Sequence, residues 1–245
     1  MEKKLVGILV CTLMIVTTLP VIGNENIQNT SSVAPGIIGI KLVAKVFEVN
    51  DPYNLLGGVI HVNDTITGKY NYDSGIPDSE PNDPHVGKYI MTSSSYGFEV
   101  KAGGLVFKTN PSDIDFYLRI VNDYEYGYPH PDFYHVFSGN NLQLSNGMTV
   151  EQIRWDLEDP TGTVLSSDAL PITAPVLADW ESVYGLRLYG KDPSNPSKEY
   201  LVSAHVTRVT KSKARGAHFT EQPVLIWLLE HFANMFPILR QLMKL

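Results

Sequence analysis

The sequence predicts an all-β fold: an antiparallel β-sandwich or jelly-roll-like core between an N-terminal signal helix and a C-terminal amphipathic helix. Three observations favour this class. Short runs rich in Val, Ile, Tyr, Phe and Thr fill the middle of the 245-residue chain. Turn pairs such as Gly57-Gly58 and Asn146-Gly147 separate these runs. Between residues 37 and 207 no stretch has the pattern of a long amphipathic helix, so a βαβ arrangement is not expected.

Composition narrows the class of protein further. Apolar residues make up 43% of the chain, which is enough to form a core and argues against general disorder. The net charge of −7 argues against a nucleic-acid partner. The single cysteine, Cys11, excludes a disulfide framework and a metal site built from cysteines.

The N-terminus has the pattern of an export signal over residues 1–23. Lys3 and Lys4 form a basic start, residues 5–23 carry no charge, and Val21 and Gly23 fit the small-residue positions of a cleavage site. An uncleaved membrane anchor is the alternative, because 19 uncharged residues are close to the lower limit for a spanning helix. The polar, small residues 24–36 that follow are typical of a linker.

The β domain is predicted over residues 37–208. Its first run begins at residue 37 and alternates apolar and polar side chains imperfectly. We expect Trp155 and Trp180 to lie in the core or on the flank of a sheet. The remaining strand candidates share β-branched and aromatic residues and lie at 58–63, 66–73, 88–100, 104–109, 114–122, 133–137, 150–157, 183–190 and 199–209.

The chain changes character at about residue 209. A basic linker is predicted over 209–222, followed by an amphipathic helical tail over 223–245. Residues 36–207 carry 11 basic and 22 acidic side chains, whereas residues 208–245 carry 6 and 2. This pattern favours docking on an anionic membrane surface or the cell envelope, with self-association and packing on the β core as alternatives. The residues predicted to contact the membrane or a partner are Trp227, Leu228, Phe232, Phe236 and Leu239.

Two segments carry a resemblance to a known family. They are Thr67-Gly68-Lys69-Tyr70-Asn71-Tyr72-Asp73, continued by Pro77-Asp78-Ser79 and Gly87-Lys88-Tyr89, and the segment Asp159-Pro160-Thr161-Gly162-Thr163-Val164-Leu165-Ser166-Ser167-Asp168-Ala169-Leu170-Pro171. Together they resemble an uncharacterised family of secreted, β-rich bacterial proteins that often carry a PEP-CTERM sorting tail. The resemblance covers about residues 45–207 and implies an exported β domain. Because the family has no assigned activity, the resemblance adds no catalytic residues.

The C-terminus departs from that family, because it has neither a Pro-Glu-Pro motif nor a terminal basic cluster. The segment over residues 228–242 instead resembles a C-terminal segment of exported archaeal proteins. Ala233 stands where that segment has proline.

A calcium site is the one cofactor that the sequence suggests. The acidic loop over residues 73–83 supplies several oxygen ligands in a short span, as calcium requires. A turn-rich, solvated acidic loop is the alternative interpretation. The candidate ligands are Asp73, Asp78, Glu80, Asn82 and Asp83.

A ligand-binding surface is predicted at the aromatic loop over residues 124–134. Tyrosine rings next to acidic groups stack on sugars or form an adaptable protein-binding surface, and they also pack as a minor core under a loop. The candidate residues are Tyr124, Tyr126, Tyr128, Asp132 and Tyr134. His130 and His135 flank Asp132, but their odd spacing in a strand would place the two rings on opposite faces, which argues against a shared metal.

These observations predict an exported, non-catalytic cell-envelope or extracellular β domain that binds glycan or protein. No Gly-x-Ser-x-Gly, His-Glu-x-x-His, phosphate-loop or dinucleotide motif is present in the sequence. Two alternatives stay open. One is a secreted hydrolase that acts on polysaccharide through paired acids. The other is a structural envelope protein that assembles through its C-terminal helix.

Overall fold

The computed structural model describes residues 36–124, 130–181 and 185–212. Within these ranges the chain forms ten strands and one short 3-10 turn at Leu177–Asp179. The strands are β1 (Ile37–Asn50), β2 (Thr65–Asp73), β3 (Val86–Met91), β4 (Gly97–Ala102), β5 (Leu105–Lys108), β6 (Phe116–Val121), β7 (Asp132–Ser138), β8 (Thr149–Asp159), β9 (Leu186–Asp192) and β10 (Asn195–Ser212).

All ten strands belong to one antiparallel sheet, in the order β3-β6-β7-β8-β9-β10-β1-β2-β4-β5. The all-β, antiparallel prediction is confirmed, but the strands form a single curled sheet and not two separate layers. The curl brings the end of β5 to the β7–β8 connection, where Thr109 bridges Asn141. The Leu142 amide donates to the Lys108 carbonyl over 2.8 Å. Because the sheet curls, one of its faces points to the interior of the β domain and carries the buried side chains.

The first and last strands are neighbours at the centre of this sheet. β1 pairs with β10 on one side and with β2 on the other. Gly39, close to the start of β1, is the register partner of Ser212, the last residue of β10. The two ends of the β domain therefore leave the sheet at the same place.

Alternation of side chains builds the core. In β1, Ile40, Leu42 and Ala44 are buried, whereas Lys41 and Lys45 point to the outer face. Trp155 and Trp180 are buried, which confirms their predicted placement. The largest fully buried side chains besides Trp155 are aromatic and come from several strands: Tyr70, Tyr72, Tyr134, Tyr200, Phe98, Phe107 and Phe116.

Buried tyrosine hydroxyl groups find partners inside the fold. The Tyr70 and Tyr134 hydroxyls lie 2.8 Å apart, and the Tyr200 hydroxyl donates to the Thr149 carbonyl over 2.8 Å. Burial raises the pKa of Tyr70, Tyr134 and Tyr200, because the ionised phenolate would lose its hydration. In the folded protein these three hydroxyl groups therefore stay protonated and neutral.

The long connection between β8 and β9 is fixed by polar contacts from the sheet. The Tyr72 hydroxyl donates to the Pro171 carbonyl over 2.6 Å, and the Tyr89 hydroxyl donates to the Asp168 carbonyl over 3.0 Å. Trp180 is buried further along the same connection, with its ring 6.5 Å from that of Tyr134. Most of this connection has no regular secondary structure, so these contacts replace the ladder bonds of a strand.

Three strand predictions need correction. Residues 58–63 form a loop, because Gly57, Gly58 and Asn63 adopt positive φ angles that interrupt a strand. The candidate at 88–100 is two strands, β3 and β4, separated by the turn over residues 92–96. Strand β10 continues to Ser212, so the first four residues of the predicted basic linker belong to the sheet.

Both predicted helices lie outside the described residues. This applies to the signal over 1–23 and to the tail over 223–245, including Trp227, Leu228, Phe232, Phe236 and Leu239. In the three described ranges, no helix is long and apolar enough to cross a membrane.

The raised pKa of Tyr200 predicts a loss of stability in alkali. The unfolded chain releases this proton near the ordinary pKa of 10.0, whereas the folded chain retains it to higher pH. The contribution to stability is therefore complete below pH 10 and is lost as pH rises, by up to about 1.4 kcal/mol per pH unit. Urea unfolding between pH 8 and 11 measures this slope. The Tyr200→Phe variant should show a shallower slope, and equal slopes would contradict the assignment.

Candidate functional site

Two buried aspartates join the β7–β8 hairpin to its surroundings. Asp132 and Asp159 are register partners at the open end of this hairpin, and both are almost completely buried. One Asp132 carboxylate oxygen accepts the Asp123 amide over 3.0 Å. The other accepts the amides of Val164 and Leu165 over 3.0 and 2.7 Å. A single carboxylate thus connects three chain segments.

Asp159 organises the turn that follows β8. Its two carboxylate oxygens accept the amides of Thr161 and Thr163 over 3.0 and 2.7 Å, and both threonine hydroxyls also donate to it. Burial alone would raise the pKa of Asp159, but these hydrogen bonds outweigh that effect and the pKa is lowered. This turn forms the first part of the segment over residues 159–171, one of the two on which the predicted family resemblance rests.

Gly162 allows this turn to pack against the neighbouring loop. Its φ of +64° favours glycine, and a β-carbon at this position would collide with the His130 carbonyl. The turn after β8 therefore lies directly against the chain that enters β7, which is the end of the aromatic loop.

Tyr124 is positioned by the same group of contacts. The Asp123 amide is fixed by Asp132, and the Tyr124 amide donates to the Pro131 carbonyl over 3.1 Å. The Tyr124 ring packs edge-on against Phe133, with 6.1 Å between the ring centroids. The backbone of Tyr124 is therefore held at the base of the loop.

A second loop faces Tyr124 from the edge of the sheet. It is tied to the β6–β7 connection by Asn122, whose amide donates to the His85 carbonyl over 2.9 Å. The Asp83 carboxylate accepts the His85 amide over 2.9 Å. Earlier in the same loop, the Asp78 carboxylate accepts the Lys88 amide over 2.8 Å. Because β3 is an edge strand, this amide has no neighbouring strand to bond to, and Asp78 takes that place.

Tyr124 and the loop over residues 79–86 line a concavity of about 560 Å³, which we name the loop groove. It presents a phenol, an amide, an imidazole, two carboxylates and a hydroxyl, and therefore offers both donors and acceptors. Two prolines and a valine complete the wall. The lining residues are Ser79, Glu80, Pro81, Asn82, Asp83, Pro84, His85, Val86 and Tyr124.

The structure separates the five predicted ligand-binding residues. Tyr124 lines the loop groove. Asp132 and Tyr134 are buried and bonded inside the fold, so neither side chain reaches the surface on which a ligand was expected. The physical reason is strand alternation, which turns both residues of β7 to the inner face. Tyr126 and Tyr128 lie outside the described residues.

The five predicted calcium ligands do not converge on one point. Asp73 accepts the Gly75 amide and the Tyr96 hydroxyl, and Asp78 accepts the amides of Glu80 and Lys88. The carboxylate of Glu80 lies 3.6 Å from the Lys88 ammonium. Glu80, Asn82 and Asp83 line the loop groove, whereas Asp73 and Asp78 are not among its lining residues. Across the described part of the chain, no group of three His, Cys, Asp or Glu side chains is arranged to hold a metal ion.

Sequence reasoning does not identify every residue of the site. Ser79, Pro84 and His85 line the loop groove without being predicted ligands, although they lie within or directly after the acidic loop. His135 belongs to a different contact from His130, because its Nδ1 is 2.6 Å from Asp156 Oδ1 on the outer face of β7. The pairing of β7 with β8 places Asp156 directly opposite His135, so knowledge of the strand register would have identified this pair.

Comparison with known proteins gave no match to a protein-family model, a curated protein or a solved structure. The resemblance to secreted β-rich proteins therefore stays a prediction.

Replacing Asp132 with alanine should destabilise the fold. Three amides would lose their acceptor, and we expect the free energy of unfolding to fall by roughly 2–4 kcal/mol. Urea denaturation measures the change. The exposed Asp113 provides the matched control, since Asp113→Ala should alter stability by less than about 0.5 kcal/mol. Similar effects of the two substitutions would show that Asp132 does not hold the segments together.

A pair of glycine substitutions tests the contact between the turn and the loop. Gly147 has a φ of +86°, but a β-carbon added there would meet no atom within 4 Å, so Gly147→Ala should cost about 1 kcal/mol from backbone strain. Gly162→Ala adds the collision with His130 and should cost about 1–3 kcal/mol more. Thermal or urea unfolding compares them, and an equal cost would argue that the turn does not press on the loop.

Proposed function

We propose that this chain is an exported, non-catalytic β domain of the cell envelope or extracellular space that binds a neutral glycan in the loop groove. The observation that carries the proposal is the convergence of Tyr124 with the loop over residues 79–86 on one concavity. Export and envelope docking are supported by the signal pattern over 1–23 and the amphipathic pattern over 223–245.

The shape of the loop groove favours a small oligosaccharide over a protein partner. Its volume of about 560 Å³ lies in the range of small-molecule sites. Stable protein interfaces are broader and bury more than about 1,000 Å². A concavity of this size suits a ligand of a few sugar rings.

The chemistry of the groove favours uncharged hydroxyl groups. The Asn82 amide can donate to and accept from sugar hydroxyls. The Ser79 hydroxyl donates to the Lys88 carbonyl over 2.8 Å and can still accept from a sugar. The Tyr124 ring offers an apolar face for sugar C–H groups. Glu80 and Asp83 would repel an acidic ligand, so a neutral glycan fits best.

The arrangement of acids favours binding over hydrolysis. A glycosidase needs two carboxyl groups on opposite sides of the scissile bond. Glu80 and Asp83 lie three residues apart on the same loop, and Glu80 is paired with Lys88. Both acids therefore belong to the single loop that lines most of the groove, and the Glu80 carboxylate has a cationic partner there.

Binding of neutral oligosaccharides tests the proposal. A glycan array identifies the ligand, and calorimetry then measures its dissociation constant. We expect Tyr124→Ala and Asn82→Ala each to raise the dissociation constant about tenfold, a loss of about 1.4 kcal/mol. The Tyr124 variant also removes the ring that packs on Phe133. Asn82 is exposed, so the Asn82 variant tests the site without altering that packing.

Tyr53 provides the matched control for the aromatic ring. It is 55% exposed and lies outside the loop groove, so Tyr53→Ala should leave the dissociation constant unchanged. Failure to bind any neutral oligosaccharide, or an equal loss in the Tyr53 variant, would refute glycan binding in this groove.

A further inference from the structure

A basic concave surface lies on the outer face of the sheet, away from the loop groove. It is formed by β10, β1, β2, β4 and β5, which are consecutive in the sheet. We name it the basic trough and define it by five exposed cationic side chains: Lys41, Lys69, Lys101, Lys108 and Arg208. The basic trough and the loop groove share no residue.

Strand register brings these side chains together. Lys41 is opposite Lys69, Lys69 is opposite Glu99, and Glu99 is opposite Lys108. The next row of the same face contains Arg208 on β10 and Lys101 on β4, with Val43 and Thr67 between them. Strands are about 4.8 Å apart, so the five strands span roughly 19 Å.

The charge of the basic trough contrasts with the rest of the β domain. Residues 36–207 carry twice as many acids as bases, yet four of their 11 basic side chains are in this trough. Among the described residues that line it, Glu99 is the acidic one, and its carboxylate lies 3.2 Å from Lys69 and 3.8 Å from both Lys101 and Lys108. One carboxylate cannot neutralise three ammonium groups.

Two of the five cations have no partner within the described ranges. The side chains of Lys41 and Arg208 form neither a hydrogen bond nor an ion pair with any described residue. Lys41 also lies directly across from Lys69, and like charges in opposed positions destabilise a sheet. A bound anion between them would remove this repulsion.

The trough is elongated. A concavity of about 480 Å³ is lined by Lys41, Lys69, Lys101 and Arg208, among others. A second concavity of about 190 Å³ continues it to Lys108, and the two share Lys69 and Glu99 along their boundary. The two adjoining concavities lie across several strands, which fits an extended chain better than a single small ion.

We propose that the basic trough binds a linear acidic polysaccharide through the carboxylate or sulfate groups of successive sugars. Its anionic groups would pair with Lys41 and Arg208 and would compete with Glu99 for Lys69. This site shares no residue with the loop groove and takes a charged ligand, whereas the ligand proposed for the loop groove is neutral.

Other polyanions fit this surface less well. Single-stranded nucleic acids bind to proteins largely through stacked bases. Among the described residues that line the two concavities, the only aromatic ones are Tyr96 and Phe98, both in the smaller concavity. A bilayer presents a flat surface, whereas the charges of the trough line a depression. Uncharged residues, among them Val43, Thr67 and Gly68, line the larger concavity together with these charges.

Binding of defined polymers to the full chain tests this proposal. The probes are polygalacturonate for carboxylates, dextran sulfate for sulfates, and neutral dextran as the uncharged control, at roughly 50 mM salt. We expect binding to one or both acidic polymers and not to dextran. The Lys41→Gln/Lys69→Gln variant should raise the dissociation constant at least about tenfold and weaken its dependence on salt.

A matched variant removes the same charge elsewhere. Lys191 and Lys198 lie outside the trough, so Lys191→Gln/Lys198→Gln should change the dissociation constant less than about twofold. The basic tail is identical in both variants and cannot account for a difference between them. The Lys101→Gln/Arg208→Gln variant repeats the test at the other row of the trough if the first variant is unstable.

Several outcomes would overturn the proposal. These are no binding to either acidic polymer, an equal loss in the control variant, or trough-dependent binding to phosphatidylglycerol vesicles without binding to the polymers. Neutral-glycan binding, measured on the same trough variants, should stay unchanged. This separates failure of the trough from failure of the loop groove.

Discussion

The carboxylate of Asp132 is the contact on which the arrangement around the loop groove depends. It is buried at the mouth of the β7–β8 hairpin and accepts amides from two different loops. One of these loops leads into Tyr124, and the other begins the long connection that covers the sheet. The register partner Asp159 shapes the intervening turn, so the two acids together fix loops that have little regular hydrogen bonding of their own.

The fold class could be predicted from the sequence because alternation and turn residues are local signals. The first run, from Ile37 onward, and the burial of Trp155 follow directly from them. The strand order could not be predicted, since the pairing of β1 with β10 joins residues more than 150 positions apart. The prediction of a strand over residues 58–63 is wrong for a local reason: the sequence pattern does not reveal that Asn63 adopts a positive φ.

The candidate site is less predictable than the fold. Aromatic and acidic residues mark a loop but do not reveal which way each side chain points, so Asp132 and Tyr134 are expected at the surface and lie inside. Convergence of the two loops depends on contacts such as that of His85 with Asn122, which links segments 37 residues apart. The basic trough has no signature in the sequence, because its lysines are far apart along the chain and become neighbours only through register.

The adjacency of β1 and β10 constrains when this protein can fold. The first strand stays unpaired on one side until the chain has been completed as far as Ser212. A ribosome or a translocation channel that releases the chain from its N-terminus would therefore hold an incomplete sheet until almost the entire β domain has emerged. Such a topology delays stable structure until late in synthesis, which is compatible with passage through a narrow pore in an extended form.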